Sequence, residues 1–240
     1  MKYRNIWNEK YTEYQNKETS PPGLEEIQRY RQVYSYYLRQ WFPEKKDAPV
    51  LEVACGSGLF LNLLRENGYS QAFGLDSSPQ QIALAQQQGF NVEQANALEF
   101  LKNESKHFQT IVALDFIEHL YKDEALDFLH SSFNRLEPGG RIILQTPNGE
   151  SPWVGSVFHG DLTHEVCYTP HLLEKLLRQA GFESIKFRPC GPPPIDFIST
   201  SRKFIWDGMT MVCRLLNIIE GAVSSGIYTR VFMISGIKPG

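Results

Sequence analysis

Apolar runs alternate with amphipathic segments along most of the chain, and this alternation predicts strands separated by helices. Five apolar runs read as buried strands, at residues 50–54, 72–76, 90–93, 108–114 and 141–146. Helical spacing of apolar side chains fills the intervals, at about 58–67, 79–88, 97–103 and 122–136. The strand at 108–114 is almost continuously apolar, which is typical of a parallel sheet covered on both faces. The pattern therefore predicts an α/β fold with a parallel, doubly wound sheet.

Outside this regular region the pattern changes. Apolar residues between Leu24 and Trp41 keep helical spacing, so a first amphipathic helix is predicted there, and Pro43 ends it. The segment before it, residues 1–22, is polar and aromatic and reads as a flexible leader. Beyond residue 146 the predicted elements are a loop at 147–169, a helix at 170–180, strands at 184–188 and 228–235, and between these strands an insertion at about 189–227.

The insertion contains one strongly apolar helix. Its main stripe is formed by Ile205, Met209, Val212, Leu216 and Ile219, and a second apolar edge by Phe204, Met211, Leu215 and Ile218. Such a helix is buried, forms the face of a homodimer, or rests on a lipid surface. Burial is the simplest interpretation. A peripheral membrane contact would instead place Trp206, Arg202 and Lys203 at the edge of the lipid surface.

Composition narrows the classes of protein to which the chain can belong. Its 240 residues suit one domain, and the net charge of −3 argues against a nucleic-acid backbone as the main partner. Four cysteines without C-x-x-C spacing indicate reduced thiols rather than a disulfide framework or a zinc site, so a cytoplasmic location is predicted. The first residues lack an apolar signal core, and no uncharged apolar run reaches about 18 residues, so no membrane span is expected.

A nucleoside-binding pattern follows the first strand of the predicted sheet. Gly56 and Gly58 form a turn between strand and helix, and Asp76 closes the next strand. The glycines allow close approach of a ligand, and an acid in this place accepts hydrogen bonds from ribose hydroxyls. A dinucleotide motif would need a third glycine where Leu61 stands, and Glu52 in the first strand suits a cationic ligand better than a pyrophosphate. A nicotinamide-dependent reductase is therefore disfavoured.

Leu51-Glu52-Val53-Ala54-Cys55-Gly56-Ser57-Gly58 resembles the first motif of the class I S-adenosylmethionine (SAM)-dependent methyltransferases, and the resemblance runs from about residue 48 to 190. It implies a Rossmann-like, seven-stranded sheet of order 3-2-1-4-5-7-6 with the last strand antiparallel. It also implies a leader and lid helix at 1–45, which often folds over the cofactor in this family, and a methyltransferase domain at 46–240. A non-catalytic SAM-binding module is a further alternative, which the many charged groups described below disfavour.

The resemblance also assigns the cofactor site. Glu52 faces the amino-acid part of SAM, or of its product S-adenosylhomocysteine (SAH), and Asp76 binds the ribose. Ser77 flanks the adenine, and Asn96 accepts the adenine amine, although Asn96 also suits a helix N-cap. Cys55 is expected to be a packing residue rather than a nucleophile. The full predicted set is Glu52, Ala54, Gly56, Gly58, Asp76, Ser77, Asn96, Ala97 and Leu114.

Three candidate metal ligands, Asp115, Glu118 and His119, follow the fourth strand. This acid-x-x-Glu-His run resembles two metal-dependent methyltransferase branches, the ubiquinone-pathway O-methyltransferases and the small-RNA 2′-O-methyltransferases, and His164 is the natural fourth ligand. Mn²⁺ or Mg²⁺ is the expected ion, with the imidazoles favouring Mn²⁺. In the alternatives, His119 acts as a general base without metal, His164 orients the substrate, or the group is structural. The predicted catalytic residues are His119, His164 and Glu118.

The acceptor is predicted from the segments 145–148, 160–165 and 168–170, which together resemble methyltransferases of polysaccharide and glycan biosynthesis. The expected function is O-methylation of a sugar hydroxyl or phosphate-type oxygen of a glycan precursor. A quinone-pathway or small phenolic O-methyltransferase is the alternative. Trp153, Phe158 and Tyr168 are candidates for stacking on a sugar, although aromatic residues in a long loop more often simply pack.

Overall fold

A seven-stranded sheet forms the centre of the protein, whose computed structural model describes residues 21–240. Its strands are β1 (Val50–Val53), β2 (Ala72–Asp76), β3 (Val92–Gln94), β4 (Phe108–Leu114), β5 (Leu136–Pro147), β6 (Glu183–Pro189) and β7 (Val231–Ile237). Their spatial order is β3-β2-β1-β4-β5-β7-β6, and only β7 runs antiparallel to its neighbours. The predicted fold class, strand order and strand direction are therefore confirmed.

Helices cover both faces of this sheet. They are α1 (Leu24–Leu38), α2 (Leu59–Glu66), α3 (Pro79–Gln87), α4 (Ala97–Asn103), α5 (Lys122–Arg135), the single turn α6 (Gly155–Phe158), α7 (Pro170–Gln179) and α8 (Phe197–Glu220), with a 3₁₀ turn at Ile117–His119. None of the helices in residues 21–240 is both long enough and apolar enough to cross a bilayer. Most of the predicted leader, including Trp7, Tyr11 and Tyr14, lies outside the described residues.

The sheet separates two apolar cores, and β4 shows how its sequence serves both. Ile111 and Ala113 point into one core, whereas Val112 between them points into the other, and all three are fully buried. Alternation of this kind is the geometry of a strand, so a buried central strand needs apolar residues at every position. This is why the continuous apolar run at 108–114 predicts the strand with the observed limits.

Two strand boundaries differ from the prediction. β5 begins at Leu136 rather than at 141, because Leu136 already pairs with Phe108 before an irregularity in the register. β7 spans Val231–Ile237 rather than 228–235. The predicted loop at 147–169 also contains the short helix α6. None of these differences moves the carboxyl ends of β1, β2 and β4, where ligands of such sheets bind.

The insertion is helical as predicted, but the expectation that its helix is buried is wrong. Of the residues of α8, Cys213 is the one that is buried. Both predicted apolar stripes are exposed to solvent, with Phe204 at 79% and Ile219 at 73%. The helix faces the protein with a different stripe, which is centred on Trp206 and Cys213.

Candidate functional site

The turn after β1 has a backbone that requires glycine. Gly56 and Gly58 have φ of +53° and +94°, in the left-handed region that side chains disfavour. A Cβ atom on Gly58 would also lie 2.6 Å from the ring of Phe90. Ala54, at the start of the turn, has φ of +56° despite its side chain. The turn therefore leads the chain from β1 into α2 while keeping its backbone open to a ligand.

Asp76 anchors this turn from the end of β2. Its carboxylate accepts hydrogen bonds from the backbone N–H groups of Gly56, at 2.9 Å, and Ser78, at 2.8 Å. These contacts fix the carboxylate beside the turn, at the position where the prediction places the ribose hydroxyls. Ser77, predicted to flank the adenine, is exposed next to it.

Glu52 is a buried acid beneath the same turn. It is 4% exposed, and its Oε2 atom has no hydrogen-bond partner among residues 21–240. Burial, and next the negative charge of Asp76, raises the pKa of Glu52 well above the usual glutamate value. A cationic ligand beside this group would stabilise its charged form, as the amino-acid part of SAM would do.

Three other predicted residues have defined positions around the turn. Asn96 is the N-cap of α4, and its side-chain oxygen accepts from the N–H groups of Leu98 and Glu99 at 2.9 and 3.2 Å. The N-cap interpretation is therefore confirmed, while a contact with adenine stays a prediction. Ala97 is buried, and Leu114 is half-buried at the end of β4. Burial, together with Glu52 and Asp76, raises the pKa of the Cys55 thiol, which agrees with a packing role.

Asp115 belongs to a polar group that the sequence analysis did not identify. The side-chain amide of Gln145, on β5, donates to Asp115 at 2.8 Å and to the Tyr34 hydroxyl at 3.1 Å. Tyr34 stacks on Tyr30, at 4.0 Å between ring centroids, and the charges of Glu52 and Asp115 both contribute to the raised pKa of Tyr30, after its burial. Asp115 therefore lies between the cofactor turn and the cluster described next.

Glu118, His119 and His164 converge just beyond the end of β4. Their candidate ligand atoms all lie within 4.8 Å of one another, and the two imidazole centroids are 4.7 Å apart. The backbone carbonyl of Glu118 accepts from the N–H groups of Glu165, at 2.7 Å, and Val166, at 3.2 Å. This contact brings His164 next to Glu118 and His119, although His119 and His164 are 45 residues apart in the chain. Asp115 lies outside this group, since its carboxylate accepts from the Gln145 amide, and its role as a metal ligand stays a prediction.

Hydrogen bonds define the tautomer of both histidines. The hydroxyl of Thr163 donates to Asp161 at 2.6 Å, so His119 Nδ1, 2.7 Å from that hydroxyl, must donate to it. His164 Nδ1 lies 2.8 Å from the backbone carbonyl of Phe158, which can only accept. In both rings the lone pair is therefore on Nε2. Histidines that bind metals usually have their other nitrogen held in this way.

Glu118 is fully buried, and neither of its carboxylate oxygens has a hydrogen-bond partner among the described residues. Burial, and next the charge of Asp115, raises its pKa well above the usual value, and the nearby Thr146 hydroxyl and the backbone offset this rise only in part. The pKa of Asp161, by contrast, is lowered. Burial alone would raise its pKa, but hydrogen bonds from Thr163 and the charges of His119 and His164 lower it. A buried carboxylate without partners beside two oriented imidazoles is unfavourable by itself and favourable around a cation.

The three side chains fit a divalent ion. Ligand atoms about 2.0–2.2 Å from one ion are at most about 4.4 Å apart, and roughly 3–3.6 Å apart when they are neighbours, so a group that spans up to 4.8 Å would contract around a bound ion. Two nitrogens and one carboxylate suit Mn²⁺ better than Mg²⁺, which prefers oxygen ligands. The three side chains therefore form a candidate ion site.

Comparison with known proteins identifies the family. A protein-family model described as a methyltransferase domain matches residues 25–186, more than half of the chain. The chain belongs to the methyltransferase domain family. Together with the nucleoside turn and the sheet order, this match makes the protein a SAM-dependent methyltransferase, with SAM as methyl donor and SAH as product.

Individual relatives of the methyltransferase are distant. The tRNA U34 carboxymethyltransferase of Pseudoalteromonas translucida (strain TAC 125) is 26% identical over 173 residues, which are 67% of this chain and 52% of the relative. The chain thus spans about half the length of the curated relative it matches. A SAM-dependent methyltransferase from Archaeoglobus fulgidus superposes with a TM-score of 0.66, at 24% identity, over 87% of this chain and 94% of the other.

A phosphoethanolamine N-methyltransferase 2 from Haemonchus contortus, solved with SAM, superposes on the methyltransferase with a TM-score of 0.62. The two are 16% identical, and the match covers 92% of this chain and 54% of the other. Two of these names differ in the transfer that they describe, one a carboxymethyl transfer at U34 of tRNA and the other an N-methyl transfer to phosphoethanolamine. At these identities the likeness establishes the fold. The acceptor of this methyltransferase has to be inferred from its own site.

The aromatic residues of the loop after β5 are occupied by packing. Tyr168 is 2% exposed, Phe158 stacks on His164 at 5.4 Å, and Trp153 makes an edge contact with Trp206 of α8 at 5.4 Å. Packing, which is the commoner role of such residues, accounts for all three. The ring of Phe158 packs against His164, a candidate metal ligand.

Proposed function

We propose that the protein is an O-methyltransferase in which a divalent ion, held by Glu118, His119 and His164, assists methyl transfer to a sugar hydroxyl or phosphate-type oxygen of a glycan precursor. The observation that carries the proposal is the buried, unpartnered Glu118 carboxylate beside two imidazoles with oriented Nε2 atoms. Among methyl acceptors, oxygen groups gain most from a nearby cation. An ion here would lower the pKa of an acceptor hydroxyl and help to orient it.

The chain's own residues prepare both reactants for direct transfer. The turn at Gly56 and Gly58, with Asp76 and Glu52, holds SAM at the carboxyl end of β1. Asp115 connects this turn to the cluster, since its charge reaches both Tyr30 and Glu118. The acceptor oxygen forms a bond to the methyl carbon while the carbon–sulfur bond breaks and SAH leaves. The hydroxyl proton passes to a base or to solvent. Positioning two reactants in this way is a large part of catalysis.

General-base catalysis without metal is the second candidate, and one contact favours it. The chain from Asp161 through the Thr163 hydroxyl to His119 Nδ1 orients the imidazole and stabilises its protonated form. His119 Nε2 would then remove the acceptor proton, a contribution of about 10²–10⁴-fold. Both candidates use the same histidine, so a measurement of metal dependence distinguishes them.

The acceptor class rests on the sequence resemblance. An RNA acceptor is suggested by the name of the tRNA-modifying relative and by the likeness of the Asp115–His119 run to the small-RNA 2′-O-methyltransferases. The net charge of −3, however, provides little attraction for a phosphate backbone. A flat phenolic acceptor is the remaining alternative. All three classes can be compared directly with the same enzyme preparation.

The test measures transfer of labelled methyl groups from SAM to nucleotide sugars and lipid-linked sugars, to a catechol, and to unmodified tRNA. The protein is first stripped with a chelator and then assayed with and without Mn²⁺. The proposal predicts transfer to a sugar or phosphate oxygen that falls at least 100-fold on stripping and returns with Mn²⁺. Undiminished transfer after stripping supports the general-base candidate instead. Transfer to tRNA or catechol alone contradicts the acceptor class.

A further inference from the structure

Helix α8 presents its polar stripe to the protein and its apolar side to solvent. The residues that face inward are buried or half-buried and recur at intervals of three or four: Lys203, Trp206, Thr210, Cys213 and Asn217. Eleven large apolar side chains of the helix are exposed, each by 42% or more: Phe197, Ile198, Phe204, Ile205, Met209, Met211, Val212, Leu215, Leu216, Ile218 and Ile219. This arrangement is the reverse of a helix that covers a core.

The apolar side is wide and contains no charge. At 100° per residue, the eleven side chains occupy roughly half of the circumference of α8. The charged residues all lie on the other half, with Arg202 and Glu220 on one flank and Lys203, Asp207 and Arg214 near the other. Phe197 and Phe204, at 86% and 79% exposure, alone expose on the order of 250–400 Å². This already matches the largest apolar patch of a typical monomer, roughly 300–600 Å².

A small number of contacts on the inward side orient α8. Trp206 packs edge-on against Trp153 at 5.4 Å, and the Arg214 guanidinium lies against Gly226. The helix begins at Asp196, whose carboxylate accepts from the Ser199 N–H at 2.7 Å, and ends at Gly221 in the left-handed conformation. A capped, packed helix does not collapse onto the core, so its apolar side remains available to a partner.

We propose that α8 docks the methyltransferase onto the surface of a lipid bilayer, with its apolar half immersed and its axis parallel to the membrane. An interfacial helix sinks about 5–10 Å below the headgroups, which is about half or more of its 10–12 Å diameter. Immersion of half the circumference matches the observed apolar width. A second copy of α8 would cover a narrower stripe and leave much of the apolar surface in water.

The charges of α8 suit the headgroup layer. Arg202 and Arg214 provide two positive charges at the flanks of the apolar half, against one negative charge from Glu220, while Lys203 faces inward. Asp207 is paired with Lys203 at 2.6 Å. The small positive excess is attracted to acidic lipids, but burial of apolar side chains provides most of the binding.

Docking places one side of the methyltransferase at the membrane. Trp153, which contacts α8, belongs to the segment between β5 and α7 that also carries His164. An acceptor attached to a lipid would thus approach the site from the docked side. This inference about the acceptor rests on the proposed O-methyl transfer. Docking itself needs no catalysis, so the two proposals fail independently.

The test is sedimentation of the full chain with vesicles of phosphatidylcholine, with and without phosphatidylglycerol. The variant Leu215→Glu introduces a charge at the centre of the apolar half, at a side chain that is 57% exposed, so the fold is retained. Its matched control is Leu172→Glu, at a leucine of α7 that is 42% exposed. We expect wild type to bind, Leu215→Glu to bind roughly tenfold or more weakly, and the control to bind like wild type. Phosphatidylglycerol should strengthen binding a few-fold.

Three results would overturn the proposal. The first is wild-type protein that stays in solution with both kinds of vesicle. The second is equal weakening by Leu215→Glu and by the Leu172→Glu control. The third is a dimer, measured by light scattering without lipid, that Leu215→Glu dissociates while vesicle binding is unchanged, which would assign the surface to a second copy.

Discussion

Replacement of Glu118 by glutamine tests the ion site through stability rather than activity. In the metal-free protein Glu118 is a fully buried acid without a hydrogen-bond partner among the described residues, so its ionisation opposes folding. Glutamine has nearly the same shape and does not ionise. We therefore expect metal-free Glu118→Gln protein to be at least as stable as wild type, and to lose the stabilisation that Mn²⁺ gives to wild type.

The size of the lost stabilisation follows from linkage. An ion that binds the native state alone, present at 100 times its dissociation constant, stabilises it by about 2.7 kcal/mol. For a domain of this size each kcal/mol raises the melting temperature by about 2–4 °C. Wild type should therefore melt about 5–11 °C higher with Mn²⁺ than after treatment with a chelator. Glu118→Gln should shift by about 2 °C or less, since two imidazoles alone bind the ion weakly.

The assay is thermal unfolding followed by circular dichroism, with chelator and with Mn²⁺. The control is Glu99→Gln, which removes an exposed acid of α4 and should shift with Mn²⁺ as wild type does. An equal Mn²⁺ shift in Glu118→Gln would refute the assignment of Glu118 as a ligand. A metal-free variant much less stable than wild type would show that the carboxylate has a partner, contrary to the buried site described above.

Substitutions at three further positions probe the rest of the site. Asp76→Ala should lower the affinity for SAH at least about 100-fold by calorimetry, because two charge-assisted hydrogen bonds to ribose are lost, and an unchanged affinity would contradict that role. Thr163→Val should lower kcat about tenfold without changing KM for SAM, and Thr163→Ser should retain activity; equal loss in both would contradict orientation of His119 by the hydroxyl. The pKa of Glu52 is raised in the folded protein. The folded state therefore loses stability relative to the unfolded state as the pH rises from the ordinary value of 4.5 to the raised value. The advantage of Glu52→Gln over wild type in urea unfolding should therefore grow from pH 4.5 upward, and a constant difference would be the contrary result.

Local patterns in the sequence predict most of the fold. The strand at 108–114 has the observed limits because a central strand needs apolar residues on both faces, which is a property of the strand alone. The start of β5 is different. Leu136 joins the sheet through its pairing with Phe108 across an irregular register, and this pairing depends on the neighbouring strand. Boundaries set by a partner strand leave little trace in the local sequence.

The same distinction applies to the candidate site. The turn at Gly56 and Gly58 can be found from sequence because its backbone conformation requires glycine locally. The diversion of Asp115 toward Gln145 depends on contact between two strands, and the only signal was a polar residue near the end of an apolar strand. The link from Asp161 to His119 joins residues more than 40 positions apart, so spacing does not reveal it.

Helix α8 shows why an apolar pattern does not by itself predict burial. Its apolar residues cover about half of the circumference, so the pattern identifies the apolar side but not what that side contacts. The packing of Trp206 against Trp153 decides the orientation, and Trp206 lies on the polar side. The orientation therefore depends on contacts such as this one between segments far apart in the chain.

The most direct test of the ion site is calorimetric titration of Mn²⁺ into protein saturated with SAH, for wild type and His164→Ala. We expect binding in the micromolar range to wild type and loss of that binding in the variant, since one of three converging ligands is removed. Binding that the variant retains unchanged, or no binding to wild type, would contradict an ion site at Glu118, His119 and His164.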